Sequence, residues 1–109
     1  MYKVVMVDNY LDSKKVEIHE KECETLETAE VAYAILFEQA KKLILEILEH
    51  MLEMDKAQAP VMQQIIDVVN EIELNEEIEL NNREERFLFV EKNHIEFSLA
   101  GKHIVAKIV

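Results

Sequence analysis

Residues 86–109, RFLFVEKNHIEFSLAGKHIVAKIV, decide the fold. Apolar residues alternate with others through three short runs, Arg86 to Glu91, His94 to Leu99 and His103 to Val109. Lys92-Asn93 and Ala100-Gly101 supply the breaks. A tight turn at Ala100-Gly101 pairs Phe97 with Ile104 and Ile95 with Ala106. A turn at Lys92-Asn93 pairs Val90 with Ile95 and Leu88 with Phe97. Both registers place Leu88, Val90, Ile95, Phe97, Ile104, Ala106 and Ile108 on one face. A slip of one residue would turn that whole set to water, so the register is strongly specified. The segment is an antiparallel meander with a defined core face.

The opposite face carries Phe87, Phe89, Val105 and Val109, joined by Val5 and Val7 from the N-terminus. A sheet face in water should be mostly polar, so this one is expected to be covered. A homodimer with Phe87, Phe89, Val105 and Val109 at its interface is one cover. Helices straddling the sheet, or a sheet curled on itself, are the others.

Upstream of the meander, residues 71–76 (EIELNE) and 77–82 (EIELNN) form a six-residue near-repeat. The helical spacing Val61, Ile65, Val68, Ile72 fails beyond Ile72, where its next positions are glutamates. A period of two takes over, with Ile72, Leu74, Ile78 and Leu80 on one parity and Glu71, Glu73, Glu77 and Glu79 on the other. This predicts a strand over residues 77–81, with 72–75 either helix end or strand, and a turn over 81–84.

At the other end of the chain, Tyr2 to Asp8 is valine-rich and reads as a strand. Residues 8–13 carry turn chemistry, and Lys15 to Cys23 makes a second strand and a hairpin. Thr25 or Thr28 can cap a helix running to about Met54. Its apolar line Tyr33, Leu36, Ala40, Leu43, Ile47, Met51 and Met54 lies beside a second line of Phe37, Ile44 and Leu48. So wide a face serves two neighbours or a second chain. Pro60 fits the first turn of an antiparallel return helix. The predicted fold is α+β, in the order ββααββββ: an antiparallel sheet, made of a β-hairpin and a C-terminal β-meander, packed with an α-helical hairpin. At 109 residues it is a single domain.

The net charge is −11. Residues 17–30 hold Glu17, Glu20, Glu22, Glu24, Glu27 and Glu30 against Lys21. Residues 71–86 hold Glu71, Glu73, Glu76, Glu77, Glu79, Glu84 and Glu85 against Arg83 and Arg86. Each stretch has a net of −5, and everything else nets −1. Concentrated charge of one sign repels itself and favours a partner of the other sign. A solvated strand face and an acidic helix entry are the plain alternative.

Several chemistries lack their residues. One glycine cannot build a phosphate-cradling loop. Two arginines and no basic run disfavour direct contact with nucleic acid. One cysteine excludes an internal disulfide, and its neighbours Glu22 and Glu24 are not the electropositive setting of a reactive thiolate. No apolar run approaches a membrane span or a secretory signal, so a soluble, cytoplasmic protein is expected. His19 and Cys23 are about 13 Å apart along a strand, too far to share a metal ion. His94 and His103 pair in register with Lys107 and Ser98, which predicts well separated imidazoles. Ser98 beside His103 has no evident orienting acid or oxyanion hole. His50 reads as a helix-surface residue, and Met51, Met54 and Met62 as filler where the helices meet. No cofactor and no metal are expected.

These readings predict a non-enzymatic, acidic protein-binding protein: an inhibitor that docks on a basic surface of a nucleic-acid-handling protein by mimicking nucleic-acid charge. Immunity proteins against nuclease toxins, and anti-defence proteins of phages or other mobile elements, have that physical profile. The expected partner-binding residues are Glu71, Glu73, Glu77 and Glu79, with Glu84 and Glu85. Alternate residues of a strand stand about 7 Å apart, a spacing like that of phosphates along a strand of DNA. A self-assembling module, kept soluble by its acids, is the second reading. A small enzyme or ligand-binding domain is the third.

Overall fold

The N-terminal strand lies between its hairpin partner and the last strand of the chain. This is seen in a computed structural model that describes residues 1–10, 15–82, 85–99 and 101–109. Strand β1 (Tyr2–Tyr10) pairs with β2 (Lys15–Cys23) and with β6 (Lys102–Ile108). With β3 (Ile78–Asn82), β4 (Glu85–Glu91) and β5 (His94–Leu99) they form one antiparallel sheet in the order β2-β1-β6-β5-β4-β3. Between β2 and β3 the chain makes the helical hairpin, α1 (Leu26–Met54) and α2 (Ala59–Glu71).

The meander has the register that its hydrophobic pattern dictates. Leu88 stands opposite Phe97, Val90 opposite Ile95, Phe97 opposite Ile104 and Ile95 opposite Ala106. All six residues are buried, together with Val4 and Met6 of β1. Asn93 (φ 59°) and Gly101 (φ 79°) take the left-handed conformation that tight turns require.

α1 lies across β1, β6, β2 and β5. Its buried line includes Ala29, Ala32 and Ala40, small residues that let the helix approach the strands, and Tyr33, Phe37, Ile44 and Leu48, which fill the space beside them. Burying a phenylalanine such as Phe37 or Phe97 contributes roughly 1.5–3 kcal/mol. Thr25 caps the helix. Its hydroxyl accepts from the Thr28 amide (3.2 Å), and the Thr28 hydroxyl accepts from the Thr25 amide (3.4 Å). This is a reciprocal capping box with threonine at both ends. α2 packs along α1 and buries Ile66 and Val69.

The departures from expectation are local. β1 runs on through Asn9 and Tyr10, and a short 3₁₀ turn, Lys56–Gln58, precedes α2. Asn81 and Asn82 end β3 rather than open a turn. Residues 11–14, 83–84 and 100, where parts of three turns were expected, lie outside the described residues. Among the described residues no helix is long and apolar enough to cross a membrane.

Candidate functional site

Residues 72–77 belong to no strand, and this decides how the glutamates are arranged. The two-residue alternation holds only from Ile78 onward, so of the four glutamates expected in a row only Glu79 lies in the strand. Glu71 is the last residue of α2, and Glu73 and Glu76 close a turn. In that turn the Glu76 amide donates to the Glu73 carbonyl (3.2 Å), while the Glu76 carboxylate accepts from the Glu73 amide (2.9 Å). Asn75, at φ 65°, takes the left-handed position that asparagine tolerates best among residues with a side chain.

The turn is fixed from two sides. Lys41 of α1 donates through Nζ to the carbonyl of Ile72 (3.0 Å). On the other side, Asn75 Oδ1 accepts from the amide of Asn93 in the β4–β5 turn (3.1 Å). Asn93 in turn accepts from the Ile108 amide through its carbonyl (3.1 Å). The acidic turn is thereby tied to the end of the sheet at which β3 begins, β4 ends and β6 ends. Ile72, buried beneath it, anchors the segment in the core.

Glu73, Glu76, Glu77, Glu79 and Glu91 are exposed along this rim, with Glu71 behind them. Glu84 lies outside the described residues, and of Glu85 only the backbone is described. Glu79 also faces two shallow depressions on the open side of the sheet. One, of about 400 Å³, is lined by Glu79, Asn81, Phe87, Phe89, Glu96 and Ser98 among others. The next, of about 350 Å³, is lined by Glu77, Glu79, Phe89 and Glu91 among others. Both share Glu79 and Phe89, so the carboxylates border neighbouring depressions beside β3 and β4.

The two acidic stretches occupy opposite edges of the sheet, since β2 and β3 are its outermost strands. Five interstrand spacings separate them, about 24 Å. Along β2 the exposed Glu20 is ion-paired with Lys3 (3.7 Å). Charge on both edge strands has a structural use of its own, because it discourages edge-to-edge pairing with other chains.

The histidines correct one expectation. Register separates His94 from His103 as predicted, yet both imidazoles reach the same carboxylate. His103 Nε2 lies 3.3 Å from Glu96 Oε1, and His94 Nε2 lies 3.4 Å from Glu96 Oε2. His94 Nδ1 is 3.7 Å from Glu91 Oε1, and its ring meets Phe89 edge-on at 5.4 Å. Only the His103 approach is a hydrogen bond, because His94 Nε2 has no hydrogen-bond partner. Glu96 is thus an acid for His103 that the sequence reading missed. It was legible from the register: it lies two residues from His94 on the same face, beside the Ser98–His103 pair. Among the described residues no hydrogen bond joins His103 to Ser98 and no side-chain group could hold a metal ion. His19 and His50 are exposed, and Cys23 is buried.

Of the residues expected at an oligomer interface, Phe87 is buried within its own chain, Phe89 and Val105 are half-buried on the open face, and Val109 is exposed just beyond β6. Compared with known proteins, the chain matches no family model, no curated protein and no solved structure.

Proposed function

We propose that this protein binds a basic protein partner through the acidic rim formed by Glu71, Glu73, Glu76, Glu77, Glu79 and Glu91. The observation that carries the reading is the double tether of the 73–76 turn, by Lys41 and by Asn93. Self-repelling carboxylates held on a fixed turn are preorganised, so a partner need not meet the cost of ordering them. Lys92 is the one cation of the adjoining β4–β5 turn.

The partner class that fits is a nucleic-acid-handling protein, whose binding groove already presents lysines and arginines to phosphates. Docking there would exclude nucleic acid by occupying its site, which makes the protein an inhibitor by charge mimicry. The mimicry rests on the clustered rim rather than on a four-carboxylate row, because of these glutamates only Glu79 lies in a strand. Association should be fast and should weaken steeply with salt.

The test is capture from the native host's lysate, with elution by duplex DNA. A basic protein retained at low salt and displaced by DNA supports the reading. Retention of nothing, or of proteins that DNA does not displace, contradicts it.

A further inference from the structure

Phe89 of β4 stands between two carboxylates. Glu79 of β3 is its register partner on one side and Glu96 of β5 on the other. One step along, the register of β3 and β4 slips between Leu80 and Asn81. There β4 has one residue more than β3, Phe87, and such a bulge re-aims the side chain it carries. Both phenylalanines line the larger depression on the open side of the sheet, which holds about 400 Å³. Glu79 and Asn81 form one wall of it, and Glu96 and Ser98 the other. The two wall strands are two interstrand spacings apart, about 10 Å.

Each wall therefore offers one carboxylate and one neutral side-chain oxygen above an apolar floor. Among the described residues no hydrogen bond or ion pair engages the Glu79 carboxylate, the Asn81 amide group or the Ser98 hydroxyl. Glu96 is fixed in place from behind. Its Oε1 lies 3.3 Å from His103 Nε2 in a hydrogen bond, and its Oε2 lies 3.4 Å from His94 Nε2. No described residue of the lining is a cation. A concave site with charge of one sign and low-dielectric walls focuses its field, and here the sign selects a cation.

We infer that this depression receives the guanidinium group of an arginine side chain of the partner protein. The inference rests on the proposed function for the source of that arginine. The shape of the site selects guanidinium over ammonium. A guanidinium is flat, carries five N–H donors in one plane and is weakly hydrated. It can leave water, lie over the phenylalanines and donate to both walls at once. A lysine ammonium is a compact, strongly hydrated charge that suits one wall at a time. Arginines seated in desolvated pockets are frequent anchors of protein interfaces. The exposed rim then steers a basic partner by charge, and the depression fixes which of its side chains is gripped. Glu79 belongs to both.

The test is amide NMR titration of the whole chain with two blocked tripeptides, acetyl-Gly-Arg-Gly-amide and acetyl-Gly-Lys-Gly-amide. The arginine peptide should saturate in the millimolar range and shift the amides of Glu79, Asn81, Phe89, Glu96 and Ser98. The lysine peptide should bind at least fivefold more weakly. Glu79→Gln combined with Glu96→Gln should weaken the arginine peptide at least fivefold. Glu20→Gln combined with Glu22→Gln, the same charge change at the far edge, should leave it within twofold of the wild type. Amide dispersion shows whether each variant keeps the fold, and Ser98→Lys, which sets a cation on one wall, replaces the first pair if it does not. Equal binding of the two peptides overturns the inference. So do shifts confined to the 73–77 turn, or undiminished binding when the wall is altered. A protein that captures a basic partner but does not bind the arginine peptide in this depression overturns the inference and not the proposed function. A protein that binds the peptide here but captures no partner overturns the proposed function, and with it the source of the arginine.

Discussion

The backbone amide of Asn93 donates to the side chain of Asn75 across 3.1 Å, joining two turns that are 18 residues apart in sequence. Both residues are left-handed, at φ 59° and 65°. The bond holds the acidic turn against the end of the sheet, and the turn's geometry depends on Asn75 for both its backbone and its acceptor.

Substituting Asn75 separates these roles. Asn75→Gly keeps the left-handed backbone and removes the acceptor, at a cost of about 0.5–1.5 kcal/mol. Asn75→Ala loses the acceptor and also the polar side chain that lets asparagine tolerate the left-handed region, where alanine costs roughly 1–2 kcal/mol. Urea unfolding should therefore rank the stabilities as wild type, then Gly, then Ala. An alanine variant as stable as the wild type would show that the turn is not fixed as described.

Lys41 is the second tether. Lys41→Met keeps the aliphatic stem and removes the donor to the half-buried Ile72 carbonyl, and should cost about 1–2 kcal/mol. Hydrogen exchange should accelerate at the C-terminal end of α2 and in the 73–76 turn, and not in β1. Uniform acceleration across the sheet would argue against a local tether.

Tyr33 carries a buried hydroxyl with no hydrogen-bond partner, beside Phe37 at a centroid distance of 6.1 Å. Removing a donor that is desolvated and unpaired leaves nothing orphaned, so Tyr33→Phe should be neutral or stabilising by up to about 2 kcal/mol. Burial also pushes the Tyr33 phenol well above its ordinary value of 10.0. The folded state then holds this proton more tightly than the unfolded chain. Its contribution is fully present below pH 10 and is lost as pH rises through the folded value. Stability of the wild type should decline above about pH 10 more steeply than that of Tyr33→Phe. Parallel alkaline curves in thermal denaturation would contradict this.

The meander was legible because alternation and turn residues agreed on one register, and every pair expected across β4, β5 and β6 is present. The near-repeat misled because identical letters meet different surroundings. Ile72 is sealed in the core and Leu74 is 43% exposed, whereas Ile78 and Leu80 line the inner side of β3. The left-handed Asn75 breaks the first copy, and no local pattern distinguishes it from Asn81 at the equivalent place in the second. Strand order was not legible at all. The insertion of β1 between β2 and β6 joins the two ends of the chain, and sequence periodicity carries no signal for so distant a pairing. The placement of the two acidic stretches at opposite edges follows from that order alone.

Opposite edges allow the central claim to be tested at constant charge. Glu73, Glu77 and Glu79 changed together to Lys reverse the rim, and Glu20, Glu22 and Glu24 changed together to Lys reverse the far edge. Both variants alter the net charge by the same amount. The decisive measurement is capture of the basic partner by each variant beside the wild type, at low and at high salt. The rim variant should lose the partner, while the far-edge variant should keep it with salt-sensitive affinity. Equal loss from both variants, or retention by the rim variant, would contradict the claim.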